Sequence, residues 1–138
     1  MSTIRTNTLS NVAGTQSTAI ENAINGSAKA WVNFNGTGTV AIRASYNVSS
    51  IMDNGQGDYT VNFTNAFSDT SYLAVPSCPQ ASVAGDGSIA CFGILATGNI
   101  GNDPTLKSTT QCRFVLRYLF TGGTGVFDAT QLTVAFFR

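Results

Sequence analysis

The sequence predicts an all-β fold, an antiparallel β-sandwich of jelly-roll-like type, and three observations carry that expectation. Apolar residues recur at alternate positions in short runs, as they do in strands that rest one face on a core. Clusters of Gly, Asn and Asp separate the runs and supply the backbone freedom that tight reversals need. Helical periodicity is nearly absent, and about eight short strands with turns between them suit two packed antiparallel sheets. A chain of 138 residues is one domain's worth, long enough to bury a core without metal or obligatory disulfides.

Taken in order, residues 2–18 are polar, β-branched and free of carboxylates. They read as an extended N-terminal arm, or a short strand around Ile4–Leu9, that ends at Ala13-Gly14. Ile4, Arg5 and Leu9 are the attachment candidates, and with so few apolar groups an ordered arm needs a neighbouring subunit or another protein to lie on. Residues 18–24 form the one plausible helix: Ser17 or Thr18 can cap it, Ile20 and Ile24 share a face, and Asn25-Gly26 stops it. The chain therefore divides into an attachment arm over residues 1–26, with a possible short helix, and a sandwich domain over residues 27–138.

The stretch from Lys29 to Phe67 organises that domain. Its runs Ala30-Val32-Phe34, Val40-Ile42-Ala44 and Tyr59-Val61-Phe63 each predict a half-buried strand. Val48–Met52 is expected to pair with Tyr59–Phe63 across the Asp53–Asp58 loop. Tyr72–Val75 is a strand closed by Pro76 and Pro79, which cannot donate to a ladder and so mark an end or an edge. Ile89–Leu95 reads as a strand buried on both faces, and Gly98–Lys107 as a loop. Cys112, Phe114, Leu116 and Tyr118 alternate with Arg113, Val115 and Arg117, and Thr121–Gly125 turns the chain into a last strand over Gln131–Phe137.

Composition narrows the function. Hydrophobic residues make up 43% and charged residues 10%, seven of each sign and no His, so Ser, Thr, Asn and Gly carry solubility. A neutral chain has no field to steer polyanions, which argues against nucleic acid or an anionic membrane as partner and favours self-association. No apolar run approaches the ~20 residues of a membrane span. The opening MSTIRTNTLSN has no apolar signal core, so the expectation is a protein made in the cytoplasm and assembled there. Cys78, Cys91 and Cys112 are an odd number; Cys78 and Cys91 could meet across a hairpin, though small buried thiols are the commoner arrangement.

The inventory for catalysis is thin. Without His, the usual base for Ser or Cys and the commonest zinc ligand are both missing. Asp53, Asp58, Asp86 and Asp103 sit in or beside turns, where a carboxylate that bonds nearby backbone accounts for them. The expectation is a non-enzyme with no cofactor and no metal. One loop comes near a metal pattern: DNGQGD, from Asp53 to Asp58, spaces oxygens around glycines as calcium loops do, but lacks the distal bidentate Glu and reads first as a hairpin turn. Trp31 lies opposite the Ala30-Val32-Phe34 face, as a sugar-stacking platform or, more simply, a subunit contact. Arg113 and Arg117 share a face with Val115, either solvated or paired across subunits with a loop aspartate. Phe136 and Phe137 must point to opposite sides of one strand, so the second needs a cover that a neighbouring copy would provide.

The order WVNFNGTGT, IRASYNVSSI and DNGQGDYTVNF resembles a module of bacteriophage tail-fibre and related virion surface proteins. The resemblance spans about residues 27–67, and the opening STIRTNTLSNVAGT is also similar to the start of such fibres. It implies a β-rich homotrimer in the virion, partnered by other tail or capsid proteins and by host-surface glycan. The chain lacks the repeats or coiled coil of a fibre shaft. Three roles follow: a tail-fibre-type appendage or receptor-binding subunit, a capsid decoration (cement) protein that stabilises the head, or, from another class, a glycan depolymerase.

Overall fold

The computed structural model describes residues 6–77, 92–94, 107–120 and 123–138. Ile4, Arg5, Cys78, Pro79, Cys91, most of the Ile89–Leu95 run, the loop before Lys107 and the Tyr118 side chain lie outside the described residues.

The described chain is mostly antiparallel β-structure, with one short helix. A small hairpin pairs β1 (Thr8–Ser10) with β2 (Ser17–Ala19), and α1 (Ile20–Gly26) follows directly. Two larger sheets come next. One has the order β4-β3-β11-β7, from β3 (Ala28–Asn35), β4 (Ala41–Tyr46), β7 (Leu73–Ser77) and β11 (Leu132–Phe137). The other has the order β10-β9-β6-β5, from β5 (Val48–Gly55), β6 (Asp58–Phe63), β9 (Gln111–Phe120) and β10 (Gly123–Val126), with β8 (Phe92–Ile94) also paired to β9.

The two sheets close on one core. Ala30, Val32 and Phe34 of β3 and Leu132, Val134 and Phe136 of β11 face Tyr59, Val61 and Phe63 of β6 and Cys112, Phe114 and Leu116 of β9. Each fully buried large side chain contributes about 1.5–3 kcal/mol of transfer free energy. Aromatic rings form two nests across the gap. Phe34 meets Tyr59 edge-on at 5.2 Å, and Phe63, Phe67, Tyr72 and Phe136 gather at 4.6–6.5 Å. Such edge-to-face pairs add about 0.5–1.5 kcal/mol beyond area burial.

The expected sandwich strands in β3, β5–β6, β9 and β11 are present, and β7 with Pro76 is an edge strand. Several details differ. Of the Val40-Ile42-Ala44 run only Val40 is half-buried against the core: every residue of β4 is exposed, because β4 is an edge strand and a bulge opposite Asn33/Phe34 disturbs its register. Val115, expected beside solvated arginines, is buried on the face away from the main core. The helix begins at Ile20, two residues later than expected, and runs to Gly26, with no side-chain cap at Ala19. β10 was not legible as a strand, since GTGV carries no apolar alternation. Residues 6–27 contain no buried residue, and instead of one extended run they turn back at Asn11–Gln16.

Candidate functional site

The residues that turn outward from the four-stranded sheet follow from its register. In antiparallel pairs, directly opposed residues share a face. Tyr46 opposes Trp31, Trp31 opposes Ala135, and Ala135 opposes Val75, so one row crosses all four strands on the side away from the core. Phe137 and Leu73 oppose one another in the neighbouring row. Tyr46 is 58% exposed, Trp31 37%, Val75 46% and Leu73 61%, while Phe137 is half-buried. The row on the other side is Ala44, Asn33, Thr133 and Ser77, polar but uncharged. The exposed apolar side chains of this sheet thus lie in register across its strands rather than singly.

Local hydrogen bonds tie the strands of this face together. Asn33 Nδ2 donates to Thr133 Oγ1 at 2.8 Å, clamping β3 to β11. Asn47 turns the chain from β4 into β5 with φ 53°, a left-handed conformation that Asn tolerates better than most residues. Its Nδ2 donates to Lys29 O at 3.1 Å and Asn65 O at 3.2 Å, and its Oδ1 accepts from Asn65 N at 2.8 Å. Asn47 thereby fixes Tyr46 beside Trp31. It is also shared by two depressions. One of about 280 Å³ is lined by Lys29, Phe67 and Arg138 among others; another of about 290 Å³ is lined by Tyr46, Thr64 and Asn65.

The opposite sheet is pinned from within. Tyr59 Oη lies 2.7 Å from Asp128 Oδ1 and 2.9 Å from Gly36 O, so its one proton serves two acceptors, the carboxylate at the shorter distance. Burial, then the Asp128 carboxylate, push this phenol far above its ordinary range. Gly57 N also donates to Asp128 Oδ1, at 2.7 Å. A Cβ at Gly36 would fall 2.5 Å from Tyr59 Oη, which is why that approach requires glycine.

The Asp53–Asp58 turn closes the β5–β6 hairpin. Asp58 accepts from Arg113 Nε at 2.8 Å and from its Nη2 at 2.7 Å, and Asn54 Nδ2 lies 3.2 Å from the same carboxylate. Asp53 Oδ1 accepts from Gly55 N at 3.0 Å. The cation facing Asp58 is therefore a guanidinium of the same chain, and no group of three or more His, Cys, Asp or Glu that could hold a metal occurs among the described residues. Arg113 is neither simply solvated nor paired across subunits: its partner is Asp58 of the same chain, the first residue of β6, because β6 lies next to β9. Arg117 is half-buried in β9, opposite Phe92 and Val126.

Among the other sequence candidates, Phe136 is fully buried and Phe137 faces outward, opposite sides as expected. Leu9 is exposed in the hairpin. Cys112 is a buried free thiol, pushed up to about 11 by burial, with Tyr72 and Lys107 opposing the shift. The sequence reading singled out Trp31 and Phe137 but missed Tyr46, Leu73 and Val75; the offset of Leu73 and Val75 from Ala74 by one residue was the available signal.

Compared with known protein families, curated proteins and solved structures, the chain matches none.

Proposed function

We propose that the chain is a non-enzymatic structural subunit of a bacteriophage virion, made in the host cytoplasm, that works as a homotrimer in a tail-fibre-type appendage or receptor-binding tip. The observation that carries the self-assembly half of this reading is the uncharged apolar row Tyr46–Trp31–Ala135–Val75 on the outer sheet face. The virion half rests on the resemblance of residues 27–67 to phage fibre modules. A scaffold of this kind performs no bond chemistry; complementary surfaces do its work. Apolar area buried between subunits contributes about 25 cal/mol per Å² before association costs are subtracted.

The test is a reconstruction of particles that carry the protein, with copies counted. A few trimers at the tail support the reading. Hundreds of copies at the local threefolds of the shell replace it with a decoration protein, and shortened oligosaccharides after incubation with host polysaccharide replace it with a depolymerase. A chain that stays monomeric by light scattering at micromolar concentration refutes it.

A further inference from the structure

The outer face leaves open what covers it, and its size narrows the answer. Four strands spaced ~4.8 Å apart and three outward rows ~6.8 Å apart give roughly 400 Å² of sheet. A stable interface takes about 800 Å² from each partner, so two such faces pressed together fall short by about half. A second apolar surface has to contribute.

Residues 6–27 supply one. Nothing in this segment is buried, yet Leu9 is 46% exposed, Ile24 54% and Val12 fully exposed. The segment runs straight into β3 at Ala28, which pairs with Phe137, so it starts from the rim of the outer face. Its end is tied there: Lys29 Nζ donates to Ile24 O, and Ser27 Oγ donates to the same carbonyl at 2.9 Å. The segment has one carboxylate, Glu21, and no basic residue; the outward rows from Tyr46 to Val75 and from Ala44 to Ser77 carry no charge, and Lys29, beside the Phe137–Leu73 row, is turned to Ile24 O. Neither surface calls for a partner of opposite sign, which favours an identical copy over a charged foreign one.

We propose that the β1–β2–α1 segment of one copy seats on the outer sheet face of the next, with Leu9, Val12 and Ile24 covering Trp31, Val75 and Leu73. The contact is head-to-tail, so it builds a ring when the rotation closes. The inference deepens the homotrimer reading above and rests on it.

Two single variants, Ile24→Cys and Val75→Cys, test the seat, since both positions are exposed and tolerate substitution. They are co-expressed, oxidised gently, and the linked peptides are identified by mass spectrometry, with light scattering of the unmodified chain in parallel. A 24–75 link between the two variants, with no 24–24 or 75–75 link when either is made alone, is the expected result. A chain carrying both cysteines should likewise link between copies; a link confined to single chains means that the segment covers its own sheet and overturns the proposal. An oligomer without the 24–75 link overturns the seat and leaves the assembly reading standing, whereas a monomer removes both. As a second measure, Val75→Arg should raise the concentration at which the oligomer dissociates at least tenfold, with its circular dichroism spectrum unchanged; an unaltered dissociation curve counts against the seat.

Discussion

Tyr59→Phe is the most informative single change to the interior. It removes one hydroxyl and leaves the ring, so the contacts of that ring with Phe34 at 5.2 Å and Phe114 at 6.0 Å survive. What disappears is the 2.7 Å bond to Asp128 and the 2.9 Å approach to Gly36 O. Bonds to a charged acceptor are worth about 1.5–3 kcal/mol net. Asp128 keeps the Gly57 N–H at 2.7 Å and is not stranded, which favours the lower half, about 2 kcal/mol. At roughly 2.1 cal/mol/K per residue, the unfolding entropy of a chain this size converts that to a fall in Tm of about 7 °C. Thermal melts at two fixed protein concentrations separate this loss from any change in assembly, which would make Tm depend on concentration. The variant also carries a pH signature. A phenol raised in the folded state stabilises fully below its unfolded pKa of about 10, and that contribution fades as pH climbs further. Tyr59→Phe should therefore flatten the alkaline loss of stability, leaving the share due to Tyr72, whose phenol is also raised, chiefly by burial. A Tm within about 2 °C of the parent at neutral pH refutes the pin.

Four other perturbations read separate parts of the molecule. Cys112, buried and held as a thiol up to about pH 11, should resist alkylation at pH 8 in the native state and react once denatured, as peptide mapping would record; rapid native labelling would mean that the core opens. Asp69 is held down to about 2, first by its bond from Arg138 and then by Ser71 N, so the stabilisation it adds is complete above its unfolded value near 4 and is lost as pH falls through 2. The Asp69→Asn variant should thus lose acid dependence between about pH 4 and 2, with a small amplitude because the pair is exposed, measured by denaturant titration at each pH. Arg113→Met should cost about 1–2 kcal/mol, between the values for surface and buried pairs, since Asp58 is left half-covered without its guanidinium. In the parent chain, millimolar calcium should leave Tm unchanged; a rise would show that the ion competes with Arg113 for Asp58.

How much of this was legible depended on whether neighbours mattered. Ala30-Val32-Phe34, Tyr59-Val61-Phe63 and Cys112-Phe114-Leu116 declared themselves by alternation, because central strands bury one face whatever their partners. Val40-Ile42-Ala44 has the same alternation and misled, since burial on an edge strand is set by what lies beside it, and a bulge there leaves Ile42 37% exposed. The Arg113–Asp58 pair needed strand order: the residues are 55 apart, and only the β6–β9 register brings them together. The outer row failed to show for a similar reason. Tyr46, Trp31, Ala135 and Val75 come from four separate strands, and no local window contains two of them.

The division between core and outer face also says what assembly must accomplish. Apart from the Asn33–Thr133 clamp on the outer face, the pins described above lie in the interior or at turns, and none of them uses the side chains of Trp31, Tyr46, Leu73 or Val75. A single copy leaves a large part of these side chains in water, and presents β4 as well, a six-residue edge strand without proline whose side chains are all exposed. Such an edge is an invitation to indiscriminate pairing unless something blocks it. Arg43, the one charge on β4, does little to blunt it, because its guanidinium is turned to Thr130 O. The apolar row ends at Tyr46, on that same strand. In the proposed homotrimer, a copy that covers the row therefore reaches the edge too, and one contact answers both exposures. Variants at Val75 and at Ala44, on the outward side of β4, should then act together: each alone weakens assembly, and the pair adds less than the sum, because both remove parts of a single interface. Full additivity in the dissociation curves would mean that face and edge are covered by different partners.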